Sequence, residues 1–479
     1  MLVELEATME EVVIEEAVIH EWHAADAAGF RPCHNCRRDR EAPSTYSSGA
    51  GIVCRAVSLV LDGALDRGSE QALGSSLGVS PRHLRRLFRL HLGATPDQLA
   101  RSARAHFARR LLDDTELSIT EIALAAGFGS VRQFNRVCLE TFKFRPRELR
   151  QRRRLSDRPV ADGGLLLRMA YRPPLDWATM LNYFAARAIP GVESVAEGIY
   201  RRTILVDGDP GAIEFWPGGD GHLLVRVHLP RWERLIHLVQ QARRVFNLDL
   251  DLRTAAPHLG TDRLLSTLLE GRPGVRPPGT WDPFEVGVAA ILGDRLLLPA
   301  PREVVGRLVE RHGTPVAGFT AMGLSHVFPS PTTLAEADLA DLGISSDSAL
   351  AVRRFAMAVA GESLSLDRAS SLDQLLAALT VIPGLDIGAA HYLALRMGEP
   401  NAFPWGDAGI RAYLVRRRYQ ELSPHQVAQI AEPWRPWRAL AAVLLSLEYA
   451  ATPSVRPALR GIRRAGSLSS TALQPGPTP

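Results

Sequence analysis

The chain has 479 residues, a length that predicts about three domains. Hydrophobic residues make up 46% and charged residues 23%, which is typical of globular protein and excludes a largely disordered chain. No apolar run approaches the roughly 20 residues of a membrane-spanning helix, so we expect no membrane partner. An acidic start argues against a secretory or mitochondrial leader, and four cysteines in so long a chain fit a reducing compartment. We therefore expect a cytoplasmic protein.

The basic residues are almost all of one kind. Lys+Arg number 56, of which Lys143 is the single lysine. A GC-rich genome explains this bias, and a net charge of +4 is too small to indicate a partner. The informative property is where the arginines fall along the chain.

The first segment, residues 1–45, combines an acidic stretch with the sequence FRPCHNCRRDR. A tetrahedral zinc site needs four ligands, and Cys33 and Cys36 supply two. His20 and His23 are candidates for the other two, and an incomplete site without metal is the alternative. The segment resembles the zinc-binding domain of Ada-type adaptive-response regulators, but the first cysteine pair of that family is missing. The resemblance implies a remnant without a methyl-acceptor residue. Either the domain is truncated, or its start codon has been assigned too late.

Residues 50–150 have the pattern of consecutive short helices. In QALGSSLGVSPRHLRRLFRLHLG a helix ends near Gly78, Ser80 caps the next helix, and Pro81 suits its first turn. Four arginines are spaced to share the outward face of that second helix: Arg82, Arg85, Arg86 and Arg89. Such a helix can enter a major groove, where arginine bonds guanine edges or phosphates.

A second unit of the same design follows in SITEIALAAGFGSVRQFNRVCLETFKFRPRELR. Gly127 and Gly129 surround the turn, and Ser130 caps the second helix. The candidate base or phosphate readers on this helix are Arg132, Gln133, Asn135 and Arg136. One arginine on a helix is often only a solvated side chain, but two capped units with basic second helices weaken that interpretation for the set.

The segment GFGSVRQFNRVCLETFKFRPRELR resembles the AraC-type DNA-binding domain over almost its full length. The resemblance implies two recognition helices in successive major grooves of double-stranded DNA. It also implies a promoter or operator site, contact with RNA polymerase and association with the bacterial nucleoid.

The composition changes again after this domain. Residues 151–164 are predicted to be a linker, and residues 165–280 an α+β domain with a sheet. The clearest strand alternates Leu223, Val225, Val227 and Leu229 with other residues. Residues 281–451 return to helical periodicity, and the Pro-, Ser- and Gly-rich tail 452–479 is predicted to be disordered.

Two short motifs in the helical domain suggest chemistry. IPGLD, residues 382–386, predicts a tight hairpin at Pro383 and Gly384, and such a hairpin can present backbone N–H groups to a DNA phosphate. FPWGD then places Asp407 at the start of a helix. A carboxylate beside a DNA-holding hairpin can stabilise positive charge on a sugar or activate water. The alternative is that Asp407 caps its helix, and the two roles are compatible.

From Leu165 to about Tyr449 the chain resembles AlkA-type DNA-3-methyladenine glycosylase II, a helix–hairpin–helix glycosylase. The resemblance implies that a flipped alkylated purine is excised and that Asp407 is the catalytic aspartate. It also implies Tyr392 and Trp405 as pocket walls, and Arg295 as the wedge that fills the gap left by the base. No cofactor for catalysis is implied.

Several positions depart from the family pattern. Asp386 replaces a second hairpin glycine, where its carboxylate would face a phosphate unless the loop bends away. Gly388 and Ser446 replace pocket tryptophans. Asp294 and Arg295 stand where the family has Gln and its wedge residue. Each missing aromatic wall removes stacking that is worth roughly 1–3 kcal/mol per base elsewhere.

We therefore expect a multidomain, mainly α protein with a tandem helix-turn-helix domain, an α+β sheet domain and an all-α helix–hairpin–helix glycosylase domain. Our main hypothesis is an active alkylation-repair enzyme with a more open pocket, and Asp407 is its strongest support. The alternative is an AraC-type regulator whose glycosylase domain is degenerate. A regulator that senses a small ligand is disfavoured, because the sugar-binding barrel of that family is missing.

Overall fold

The computed structural model describes residues 22–23, 25–26, 49–151, 164–219, 221–233, 235–293, 300–367, 369–418 and 422–451. Several predicted features lie outside these ranges: the ligands His20, Cys33 and Cys36, most of the linker, the pair Asp294 and Arg295, and the tail. His23 falls in a short strand, β1 (Trp22–His23), paired with β2 (Ala25–Asp26). Within the described ranges, no helix is long and apolar enough to cross a membrane, and no three His, Cys, Asp or Glu side chains form a metal-binding group.

Residues 49–151, here called the reader unit, contain two successive helix-turn-helix pairs among eight helices. They are α1 (Gly49–Leu61), α2 (Ala64–Arg67), α3 (Glu70–Ser76), α4 (Pro81–Leu92), α5 (Pro96–Asp114), α6 (Ile119–Ala125), α7 (Val131–Phe142) and α8 (Pro146–Gln151). The predicted caps are confirmed: Ser80 Oγ accepts from His83 N at 3.2 Å, and Ser130 Oγ accepts from Gln133 N at 3.1 Å.

The two pairs repeat one another closely. Helix α4 ends at Gly93 with φ 67°, and α7 ends at Lys143 with φ 63°, so both helices close with a left-handed residue. Glycine adopts this conformation without a steric penalty, whereas lysine adopts it at a cost in free energy. The repeat places α4 and α7 as equivalent second helices, as the sequence predicted.

Residues 165–271, the sheet unit, contain a five-stranded antiparallel sheet in the order β3-β7-β6-β5-β4. Its strands are β3 (Leu165–Ala170), β4 (Glu193–Ala196), β5 (Ile199–Val206), β6 (Asp209–Pro217) and β7 (His222–His228). Its helices are α9 (Trp177–Arg187), α10 (Leu235–Val245), α11 (Leu252–Leu259) and α12 (Arg263–Gly271). The predicted alternation is confirmed along β7, where Leu223, Val225 and Val227 are buried, and Leu229 lies just beyond the strand.

Residues 283–451, the helical unit, carry the remaining elements. The helices are α13 (Pro283–Ile291), α14 (Arg302–His312), α15 (Pro331–Glu336), α16 (Ser346–Ala360), α17 (Leu372–Thr380), α18 (Ile387–Arg396), α19 (Ala408–Arg418), α20 (Pro424–Ile430) and α21 (Arg438–Ala451). A short pair of strands, β8 (Thr314–Pro315) and β9 (His326–Val327), lies between α14 and α15. Helix α18 is the central helix, since every residue from Gly388 to Arg396 is buried. The predicted mainly helical, multidomain class is confirmed.

The reader unit packs directly against the sheet unit. One apolar core contains residues of both, from Phe107 and Phe134 to Leu167 and Phe215. Beside this core the loop between α1 and α2 lies on α10, and Gly63 has φ 92° there. A Cβ on Gly63 would lie 2.7 Å from the His237 ring, so the close approach of loop and helix requires glycine.

Ionic contacts accompany this packing. Asp66 pairs with both Arg104 and His237, and Asp62 pairs with Arg244. His237 Nδ1 also lies 3.2 Å from the backbone oxygen of Leu61. The contacts therefore connect the ends of α1 and α2 to α10 of the sheet unit.

Candidate active site and DNA-reading helices

One side of the hairpin between α17 and α18 packs against the protein, and the other side faces solvent. Leu385 is buried, and its N–H donates to Ile382 O at 3.1 Å. Gly384 has φ 84°, and a Cβ there would lie 3.0 Å from Ala351 Cβ of α16. Pro383 and Gly384 are exposed. The predicted hairpin residues thus stand where a DNA backbone can reach them.

Asp386 ends this hairpin and begins α18. Its Oδ1 accepts from Ala389 N at 2.6 Å, so one carboxylate oxygen caps the helix. The sequence predicts a carboxylate that faces a phosphate unless the loop bends away. The structure instead turns one oxygen of Asp386 towards the helix N-terminus, and the residue lines the cleft described next.

Asp407 occupies the corresponding place at the start of α19. Its Oδ1 accepts from Gly409 N at 2.9 Å and from Ile410 N at 3.1 Å, and the residue is only 6% exposed. Its own N–H donates to Pro404 O at 2.8 Å, which fixes the preceding turn. The capping role is therefore present, and it holds the carboxylate in one orientation. Backbone N–H donors and a helix N-terminus stabilise the negative charge of such a group.

A cleft of about 160 Å³ joins these residues. Cavities of similar size, roughly 150 Å³, hold one benzene ring in other proteins. The lining comes from the start of α18 and the turn before α19: Asp386, Ile387, Gly388, Tyr392, Pro404, Gly406 and Asp407. The structure thus brings together Asp407, Tyr392 and the hairpin residue Asp386, as a base pocket beside a DNA-binding hairpin requires.

Hydrogen bonds to its hydroxyl hold the wall residue Tyr392 in place. Its hydroxyl lies 2.7 Å from the Tyr183 hydroxyl, and Arg396 Nη1 donates to it at 2.9 Å. Arg396 also donates from Nε and Nη2 to Gly279 O, at 3.1 and 2.9 Å. Sequence reasoning missed Tyr183 and Arg396. The four-residue spacing of Tyr392 and Arg396 on one helix was the available signal for Arg396, whereas Tyr183 belongs to the sheet unit and gave none.

The second expected wall residue, Trp405, and the two positions that lack an aromatic wall are placed differently. Trp405 is half-buried against the core of the helical unit and is not among the residues that line the cleft, although Pro404 and Gly406 on either side of it are. Ser446 is buried in α21. At Gly388 a Cβ would lie 3.5 Å from Gly406 Cα, in ordinary van der Waals contact with the turn that carries Asp407.

The reading helices expose the predicted basic face. Arg82, Arg85, Arg86 and Arg89 are all exposed on α4, and Arg132, Asn135 and Arg136 are exposed on α7. Four of the candidates have partners within the unit: Arg136 pairs with Glu140, and Arg86 Nη2 lies 3.1 Å from His83 Nδ1. Arg85 pairs with Glu70, and the half-buried Gln133 accepts from Gly129 N at 3.0 Å through Oε1. The DNA contacts of these side chains stay predictions.

Two family models match the chain: the AlkA N-terminal domain at residues 166–282 and a helix-turn-helix domain at residues 73–152. The probable bifunctional transcriptional activator/DNA repair enzyme AlkA of Mycobacterium tuberculosis (strain ATCC 25618 / H37Rv) is 33% identical over 426 residues, 87% of this chain and 84% of that protein. DNA-3-methyladenine glycosylase 2 of Escherichia coli (strain K12) is 30% identical over 275 residues, 57% of this chain and 93% of that enzyme.

Among solved structures, the 3-methyladenine DNA-glycosylase from Archaeoglobus fulgidus matches with a TM-score of 0.51 and 19% identity. The match covers 59% of this chain and 98% of that protein, and it shows the fold of the sheet and helical units.

The fold and the cleft together define a DNA glycosylase of the helix–hairpin–helix type, joined to an AraC-type DNA-binding domain. Double-stranded DNA is the partner that the two parts share. The chain belongs to the AlkA family of bifunctional transcriptional activators and DNA repair enzymes, because its similarity to these relatives runs through both parts.

Proposed function

We propose that this chain hydrolyses the N-glycosidic bond of alkylated purines of the 3-methyladenine type in DNA and couples this repair to sequence-specific regulation of transcription. The observation that carries the proposal is the Asp407 carboxylate, which is fixed at the wall of the cleft by two backbone donors. The hairpin at Pro383 and Gly384 ends at Asp386, which lines the same cleft, and it supplies the contact to the DNA backbone.

The chemistry follows from this placement. The hairpin holds the DNA strand while the damaged nucleotide rotates out of the stack, and its base enters the cleft beside Tyr392. The bond between C1′ and the purine nitrogen breaks, and the bonding electrons leave with the base, which neutralises its positive charge. The sugar then carries positive charge, which the negative charge of Asp407 stabilises. Water adds to C1′ and loses a proton, which leaves an abasic sugar.

The first prediction concerns Asp407→Asn in the full-length protein. Asparagine also caps helices, so α19 is retained while the negative charge is removed. We expect release of 7-methylguanine from a duplex to fall by about 100-fold or more, with duplex affinity unchanged. Single-turnover release of the free base measures the effect.

Asp176→Asn is the matched control, since Asp176 caps α9 of the sheet unit through a hydrogen bond from Thr179 N at 3.0 Å. It should leave the rate of release unchanged. Equal rates for wild type and Asp407→Asn would remove Asp407 from the reaction.

One observation favours a second candidate function. Gly388 and Ser446 stand where the family pattern has aromatic walls, which weakens stacking of a flipped base. A regulator with a degenerate glycosylase domain would bind duplex DNA and release no base from any alkylated substrate. The wild-type protein in the same assay separates the two functions.

The regulatory half of the proposal rests on the exposed arginines of α4 and α7. Arginines on such helices read bases and phosphates of an operator. A regulator bound at a promoter acts on transcription through RNA polymerase, so we include polymerase contact and a place in the nucleoid in the proposal. Zinc at Cys33 and Cys36, with His20 and His23, also stays a prediction.

A further inference from the structure

We propose that Asp386 is a specificity-determining residue, whose negative charge favours bases with a formal positive charge over neutral damaged bases. The inference rests on the proposed glycosylase function and goes beyond it. The observation is that carboxylates from two helix N-termini, Asp386 of α18 and Asp407 of α19, line the same cleft.

Gly388, two residues after Asp386, leaves this carboxylate exposed at the cleft. A Cβ on Gly388 would lie 3.3 Å from Asp386 Oδ1. Any side chain at position 388 would therefore begin in contact with the carboxylate, and a large one would cover it. The two departures therefore act together: the stacking surface at position 388 is missing, and the carboxylate at position 386 is exposed in its place.

The charges around the cleft favour a cationic base. Two carboxylates line it, whereas the nearby guanidinium of Arg396 lies behind the hydroxyl end of Tyr392 and is not part of the lining. A purine methylated at N7 carries a positive charge and is attracted by both carboxylates. A neutral purine such as hypoxanthine gains nothing from the second one.

Solvent limits the size of this effect. Asp386 is exposed, so water screens its charge, and a pair of charges near 4 Å interacts by about 1 kcal/mol in bulk water. We therefore expect a three- to tenfold preference from Asp386. Asp407 is 6% exposed, so water screens its charge less, and we expect it to account for the larger share of catalysis.

Asp386 also has an effect of opposite sign. Because it ends the hairpin, its charge repels the phosphates that the hairpin binds. Removal of the charge should thus strengthen binding to undamaged duplex, even as it lowers the preference for cationic bases. A residue that only repelled DNA would, when neutralised, raise the rates on both kinds of base.

The test is Asp386→Asn in the full-length protein, since asparagine keeps the cap of α18. Two duplexes that differ only in one base, 7-methylguanine or hypoxanthine, are compared by kcat/KM. We expect the ratio of the two values to fall three- to tenfold and the affinity for undamaged duplex to rise or stay equal. Asp373→Asn, an equal charge change in the first turn of α17 outside the cleft, should leave the ratio unchanged.

An unchanged or increased ratio in Asp386→Asn overturns the inference while the glycosylase function stands. If the wild type excises only 7-methylguanine, the single-turnover rate at saturating protein, which does not depend on duplex affinity, is compared directly, and an undiminished rate in Asp386→Asn overturns the inference. A wild type that releases neither base removes the proposed function and the inference together. Asp386→Ser keeps a helix cap of a different shape and shows whether charge or shape is responsible.

Discussion

Lys143 ends α7 with a backbone conformation that costs a lysine free energy. Its φ of 63° is close to the φ of Gly93, which ends α4 at the same place in the first helix-turn-helix pair and has no side chain to strain. We predict that Lys143→Gly raises the free energy of unfolding by about 0.5–1 kcal/mol, after allowance for the greater freedom of glycine in the unfolded chain. Chemical unfolding of the two proteins measures the difference.

The reverse change provides the control. Gly93→Lys should destabilise the reader unit by a similar amount, because it introduces the strain that Lys143→Gly removes. The lysine also donates from Nζ to Glu140 O at 2.9 Å, an exposed contact of small value. A less stable Lys143→Gly protein would mean that this contact outweighs the backbone strain.

Single residues differed in how well the sequence predicted them. The caps Ser80 and Ser130 and the capping role of Asp407 depend on neighbours within three positions, and these were foreseeable. The direction of the Asp386 side chain was not, since it depends on how α18 begins relative to the hairpin. Trp405 adjoins the cleft in sequence but packs against the core.

At the scale of elements, a histidine joins α18 to the turn that carries Asp407. Phe403 N donates to His391 Nδ1 at 3.3 Å, which requires a neutral ring nitrogen. Burial, together with the positive charges of Arg438 and Arg435, lowers the pKa of His391 to about 4. The neutral ring thus keeps the FPWGD turn against the central helix.

This arrangement predicts a pH dependence of stability. Above the ordinary pKa of about 6.5, His391 is neutral in both states and contributes nothing further. As the pH falls from about 6.5 to 4, His391 binds a proton in the unfolded chain but not in the folded chain. The free energy of unfolding should therefore decrease across this window, by up to about 3 kcal/mol.

Unfolding of wild type and His391→Asn at pH 7 and pH 4.5 measures this contribution. Asparagine places an oxygen near the position of Nδ1 and does not titrate, so the variant should lose less stability than the wild type on acidification. Equal losses in the two proteins would show that His391 does not titrate in this window.

Local elements were easier to foresee than contacts between them. The hairpin and the helix-turn-helix pairs are encoded by caps, glycines and apolar spacing within short segments. The hydrogen bond between the Tyr183 and Tyr392 hydroxyls spans 209 positions, and no periodicity marks either residue as the partner of the other. Such contacts depend on how whole units pack.

At the scale of the whole molecule, Asp66 connects the reader unit to the sheet unit. Burial alone would raise the pKa of its carboxyl, but the hydrogen bond from His237 and the charge of Arg104 outweigh burial, so the pKa is lowered. We predict that Asp66→Asn destabilises the protein by about 2–3 kcal/mol, because Arg104 loses its buried counter-ion. We also expect the reader unit to unfold at a lower temperature than the rest.

Calorimetry that resolves separate transitions measures both effects. Asp97→Asn is the control, because Asp97 forms an exposed pair with Arg101 within α5 and should change stability by less than about 0.5 kcal/mol. A single transition at the wild-type temperature in Asp66→Asn would show that the apolar core alone joins the two units. This interface could not be predicted from the sequence, since its charged residues resemble ordinary surface residues.

The single lysine makes the molecule chemically addressable. Lys143 is exposed at the end of α7, the helix predicted to read DNA in the second helix-turn-helix pair. Its amine is the one side-chain amine of the chain, and the α-amino group, with a pKa of about 8, can be blocked first near neutral pH. An amine-reactive fluorophore then attaches at one defined position, where its emission reports arrival on an operator without any engineered cysteine.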